Sequence, residues 1–242
     1  MNTPEPGADE QLERLRGLVT QATQQLLGDT IEVDDDLWRQ PSTLPGWNRA
    51  QVATHLARQA DGLARLAAGA AAGERVEMYA SPEQRESDIE AGAGATGLEL
   101  QIDLDTSATR LEDAFAAVDA AGSWDAEVVL RGGAVVPARL LPLGRLLEVV
   151  IHHVDLDTGF GVADIDQATA EWLLEWCSFR LRDRDEFPRL ELHAGSGFTI
   201  TIGSSGPPRR ISGSSAHLLG WLTKRAGGDA VTGDDGLQLP AF

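Results

Sequence analysis

The sequence predicts a two-domain α+β protein, with an all-helical four-helix bundle over residues 1–162 and a small α+β domain over residues 163–242. Long stretches before residue 160 repeat apolar residues at the three- and four-residue spacing of amphipathic helices. After Gly159-Phe160-Gly161 the pattern changes to short runs that alternate with period two between Gly and Pro turns. Hydrophobic residues make up 42% of the 242, enough for a real core.

Residues 1 to 8 read as a disordered tail. From Asp9 to about Leu27, the residues Leu12, Leu15, Leu18, Val19, Ala22 and Leu26 follow helical spacing. Asp34-Asp35-Asp36 reads as a charged turn, and Pro41 to Trp47 as a loop. A second helix runs from about Asn48, a good N-cap, to Ala71, and carries His55 on its second turn. Met78 to Pro82 is a loop leading into a helix that ends near the Gly92 to Gly97 cluster. A long helix follows from about Leu98 to Ala121, with Leu104, Leu111, Phe115 and Val118 inside. Val128 to Val136, split by Arg131-Gly132-Gly133, reads as a hairpin or short irregular segment. The last helix of the bundle spans about Pro142 to Thr158.

In the second domain, a helix over about Asp166 to Asp183 precedes three runs. Arg189 to His193, Phe198 to Ile202 and Arg209 to Ser212 read as antiparallel strands. Ser214 to Arg225 reads as a final helix, and Ala230 to Thr232 as an edge strand.

The formal net charge of −18 disfavours nucleic acid and anionic membrane surfaces as partners. An anionic substrate would have to be held locally, by Arg residues or a metal. The single cysteine, Cys177, excludes a disulfide within the chain and a cysteine-based zinc site. Lying between Trp176 and Phe179, it reads as core packing rather than a nucleophile. No leader and no membrane-spanning run are evident, so a soluble cytoplasmic protein is expected. The absence of a long hydrophobic surface run points to a monomer.

The candidate chemistry sits at His55, Glu148 and His152. Glu148 and His152 are four residues apart, one above the other on a helix face. Both residue types ligate first-row metals. If the helix bearing His55 faces them, three ligands converge and a fourth position stays open, as in catalytic metal sites. Asp155 shares their face and reads either as a carboxylate orienting a ligand imidazole or as a surface group at the helix end. His153 is rotated by about 100° and should miss the metal. His193 is expected to face outward, and His217 to be an ordinary helix residue.

Three stretches carry a family resemblance. They are Leu44-Pro45-Gly46-Trp47 followed by His55-Leu56-Ala57, then Met78-Tyr79-Ala80-Ser81-Pro82-Glu83-Gln84-Arg85, then Glu148-Val149-Val150-Ile151-His152-His153-Val154-Asp155-Leu156. Together they resemble the mycothiol-dependent maleylpyruvate isomerase family. Trp221-Leu222-Thr223-Lys224-Arg225 and Gly233-Asp234 resemble its C-terminal α+β domain. The resemblance implies a DinB-like metal-binding bundle with zinc held by His55, Glu148 and His152. It implies the low-molecular-weight thiol mycothiol as cofactor and an Arg important for activity, matched by Arg225. Lys224 stands where many relatives have Gly.

The implied reaction is the cis–trans isomerisation of maleylpyruvate to fumarylpyruvate, in aromatic ring cleavage of the gentisate type. Arg225 and Arg85 are candidates to clamp substrate carboxylates, although Arg85 also reads as part of a solvated helix face. Trp47 and Tyr79 either line the cofactor pocket or plug the core. Two rival readings keep the metal. One is a mycothiol S-transferase that conjugates an electrophile, and the other is a non-catalytic sensor.

Overall fold

A computed structural model describes residues 7–182 and 184–240. The expected disordered tail falls mostly outside these residues, and helix α1 already begins at Ala8. The chain forms two compact units, up to Thr158 and from Gly159 on.

The first unit contains, in order, α1 (Ala8–Thr30), α2 (Asp35–Arg39), α3 (Arg49–Ala72), α4 (Pro82–Gly92) and α5 (Gly97–Ala121). A two-stranded hairpin of β1 (Glu127–Val129) and β2 (Val135–Pro137) leads into α6 (Leu141–Leu156). The central helix is α3, which packs along α5 and against α6, while α1 lies along α6. Its start is set by a reciprocal capping box between Asn48 and Gln51. Leu56 projects from it into a cluster with Trp38, Val52, Leu100, Leu104, Val149 and Leu156. Burying one such leucine contributes roughly 1.5–3 kcal/mol, so this cluster fixes the helices that carry the candidate ligands.

Two arginines then clamp α3 to α6. Arg49, at the start of α3, donates from Nε to the Leu156 carbonyl (2.6 Å) and from Nη2 to Asp157 Oδ2 (3.0 Å). Arg145, on α6, donates from Nη1 to the Leu56 carbonyl (2.7 Å) and to Gln59 Oε1 (2.8 Å). The Arg49 clamp satisfies a carbonyl left open at the end of α6.

The charged turn expected at Asp34 to Asp36 is instead the entry to α2. The Asp34 side chain accepts the Leu37 N–H, and Asp35 and Asp36 sit in the first turn, where the helix dipole favours negative charge.

The second unit contains α7 (Gln167–Leu181), β3 (Pro188–Ala194), β4 (Thr199–Ile202), β5 (Ser205–Gly213) and α8 (Ser215–Leu222). Its core includes Leu173, Leu190, Leu192, Ile202, Ile211, Leu218 and Leu222, all fully buried. The sheet order is β4-β3-β5. The strands were expected to be antiparallel throughout, and β3 and β4 are, but β5 runs parallel to β3. Only Gly203 and Ser204 separate β4 from β5, so the chain crosses under the start of β3 to its other edge. Gly203 permits this: its φ is +70°, and a Cβ there would lie 2.3 Å from the Pro188 carbonyl oxygen.

Two further expectations change. Thr232 makes a single antiparallel bridge to Ser212 rather than an edge strand. The last helix ends at Leu222, short of Arg225. Lys224 takes a left-handed φ of 65°, and the N–H groups of Arg225 and Ala226 both turn back to the Gly220 carbonyl, which closes the helix. No helix among the described residues is long and apolar enough to cross a membrane.

Candidate metal centre

The facing surfaces of α3 and α6 bring His55, Glu148 and His152 together. His55 Nε2 lies 3.0 Å from Glu148 Oε2 and 3.2 Å from His152 Nε2, and His152 Nε2 lies 3.3 Å from Glu148 Oε2. Metal bonds of about 2.0–2.1 Å at tetrahedral angles separate ligand atoms by about 3.3 Å. The three observed spacings therefore suit one small cation. The imidazole planes cross at 88°, so each ring turns an edge nitrogen to the same point. The Glu148 side chain keeps 32% exposure, which leaves an approach from outside.

Electrostatics sharpen the picture. Partial loss of solvent opposes ionisation of Glu148, but hydrogen bonds to His152 and His55 outweigh it and hold the carboxyl well below its usual range. Burial also works against a charged His152 ring. There the Asp155 and Glu148 hydrogen bonds win, and the His152 pKa is raised. For His55 burial prevails, and its pKa is lowered.

Asp155 is 1% exposed, so it is not a surface group. Its Oδ2 lies 2.8 Å from His152 Nδ1. Thr43, from the Pro41 to Trp47 loop, donates its hydroxyl to Asp155 Oδ1 (3.2 Å) and its N–H to the Asp155 carbonyl (3.0 Å). Trp47 sets its ring at 83° to that of His55 with centroids 5.6 Å apart, and it also packs on the core cluster.

Arg85 does not occupy a solvated helix face. Its Nη2 lies 2.9 Å from His55 Nδ1, and its guanidinium sits 5.7 Å from the centre of the Tyr79 ring. Arg225 belongs to the second unit, where its Nη1 donates to the Thr223 carbonyl at 2.6 Å. His153 turns away from the trio to Asp29, 3.2 Å from its Nε2. Cys177 is fully buried, and burial pushes its thiol pKa up, which removes it as a nucleophile.

Sequence reasoning passed over Thr43, Arg49 and Arg145. Arg145 had a usable signal, since it lies three residues before Glu148 on the same helix face. Thr43 had none, because a loop hydroxyl belongs to no periodic pattern. Beside the trio a cavity of about 420 Å³ is lined by Tyr79, Ser81, Arg85, Val129, Leu130 and Arg131, among others.

The family described as the mycothiol maleylpyruvate isomerase N-terminal domain matches residues 7–157. Two crystal structures of mycothiol-dependent maleylpyruvate isomerase superpose on the chain, each with a TM-score of 0.85. One is 28% identical and the other, a histidine-to-alanine mutant, 27%; each comparison covers 96% of this chain and 97% of the other. No curated protein matches the chain by sequence.

Proposed function

The chain belongs to the mycothiol maleylpyruvate isomerase family, and we propose on that premise that it is a zinc- and mycothiol-dependent isomerase converting maleylpyruvate to fumarylpyruvate. The observation that carries this reading is the convergence of two imidazole nitrogens and one carboxylate oxygen at tetrahedral spacing, with Glu148 still open to one side.

His55, Glu148 and His152 would hold the zinc. A dication at this point supplies the charge that favours thiolate over thiol. A thiolate supplies reversible addition to an activated double bond, the chemistry that lets a cis bond turn to trans. The chain does the rest. Asp155 orients His152 through Nδ1, and Thr43 holds Asp155 in place. Arg85 and Arg225 are the guanidinium groups proposed to take substrate carboxylates, which a chain of net charge −18 must attract locally. Trp47 and Tyr79 are proposed to line the pocket.

The test is an ultraviolet assay of maleylpyruvate conversion by the purified protein, with and without mycothiol and with a chelator control. Chelator-sensitive turnover that needs mycothiol but does not consume it supports the isomerase. Absence of turnover, with stoichiometric loss of thiol to another electrophile, would replace this reading with an S-transferase.

A further inference from the structure

The contact between Arg85 and His55 has a consequence for the metal. A guanidinium nitrogen only donates, so His55 Nδ1, 2.9 Å from Arg85 Nη2, must present a lone pair to it. A neutral imidazole carries one proton, which then sits on Nε2 and points at Glu148 Oε2, 3.0 Å away. That tautomer has no Nε2 lone pair to give a metal. The Arg85 hydrogen bond and ligation through Nε2 therefore exclude each other. Ligation moves the proton to Nδ1, where it faces the guanidinium N–H, and adds a dication beside a fixed positive charge.

Arg85 has somewhere to go. It already lines the cavity that also contains Tyr79 and Arg131. Arg131 is exposed on the turn between β1 and β2. Neither Arg85 nor Arg131 has a carboxylate within ion-pair distance among the described residues, whereas Arg16, Arg49, Arg58, Arg110 and Arg139 all do. Arg85 Nε is buried with no hydrogen-bond partner, so its present placement leaves a donor unsatisfied. The acidic residues of this cavity, Glu77 and Glu86, are exposed.

We propose that Arg85 and a metal ion compete for His55, and that metal binding turns Arg85 into this cavity, where with Arg131 and Tyr79 it forms a recognition site for a substrate carboxylate. The site would assemble only once the metal is in place. The inference deepens the isomerase reading and rests on it for the identity of the substrate.

Two titrations test it, and neither uses thiol or turnover. Zinc affinity is measured by chelator competition for the full chain, for Arg85→Ala and for Arg85→Lys. Removing the competing donor in Arg85→Ala should tighten zinc binding by about tenfold. Arg85→Lys, which retains a cation and a donor, should stay closer to the parent. Succinate then serves as the dicarboxylate probe. It should bind the zinc-loaded protein at least about tenfold more tightly than the metal-free protein, and Arg131→Ala should lose that gain while keeping its zinc affinity. Unchanged or weaker zinc binding by Arg85→Ala overturns the competition. Succinate binding that ignores Arg131 and Arg85 overturns the carboxylate site, because the probe would then be resting on the metal alone. Failure of turnover with both titrations as expected would count against the isomerase and leave the Arg85 exchange standing.

Discussion

His152 and Asp155 form a hydrogen bond of 2.8 Å within one turn of α6, from ring Nδ1 to a carboxylate that is itself almost fully buried. An ionised carboxylate only accepts, so Nδ1 carries the proton, and in the neutral ring the Nε2 lone pair is directed at the point shared with His55 and Glu148. One side chain of the trio is therefore held in the tautomer a metal requires, while Arg85 holds His55 in the other.

Asp155→Asn should weaken metal binding by about 10–100-fold, because an amide can offer its N–H to Nδ1 and favour the wrong tautomer. Chelator competition with the full chain measures this directly. Equal affinity in the two proteins would show that Asp155 is a structural carboxylate only.

The pH dependence of metal binding follows from the same contacts. Under the proposed ligation, proton and metal would compete for His152 Nε2, and the His152 pKa is raised above the ordinary imidazole value of 6.5. Glu148 is held low and His55 is lowered, so neither takes up a proton in the neutral range. Affinity should fall by about tenfold per pH unit on acidification below the His152 pKa, with the decline already under way above pH 6.5. Competition titrations between about pH 6 and 8.5 would show the slope. A flat profile down to the low end would mean that His152 is not protonated there.

Arg145→Met should destabilise the first unit by about 3 kcal/mol. The change leaves the buried Leu56 carbonyl and Gln59 without the guanidinium that clamps α6 to α3. Burial also lowers the Arg145 pKa to about 10, which still leaves the group charged at neutral pH. Urea denaturation followed by far-ultraviolet circular dichroism reads the loss.

Lys224→Gly should stabilise the second unit by about 1 kcal/mol, since Lys224 closes α8 with φ at 65°, a conformation that costs a residue with a Cβ. A rise in the denaturation midpoint of the variant checks this. No rise would mean that the lysine side chain compensates through contacts of its own.

Much of this architecture is legible in the residues themselves. Helices α3 and α6 announce their faces because Leu56, Leu63 and Leu66 on one and Glu148 and His152 on the other fall at helical spacing. Asn48 reads as a cap because its side chain can reach the N–H of Gln51 within one turn. What escapes depends on long-range geometry. Helix α2 is five residues long, too short for any period to show. The parallel pairing of β5 depends on Gly203 slipping beneath Pro188, and nothing in the residues of β5 itself sets its direction. Arg85 and Thr43 meet their partners across 30 and 112 residues of chain, a distance over which no local pattern speaks.

Metal content per chain tests the central claim most directly, measured by elemental analysis on the purified full chain and on His55→Ala and Glu148→Ala. The account predicts about one zinc per parent chain and close to none in either variant, with helical circular dichroism retained in all. Variants that keep the metal at parental affinity would contradict it.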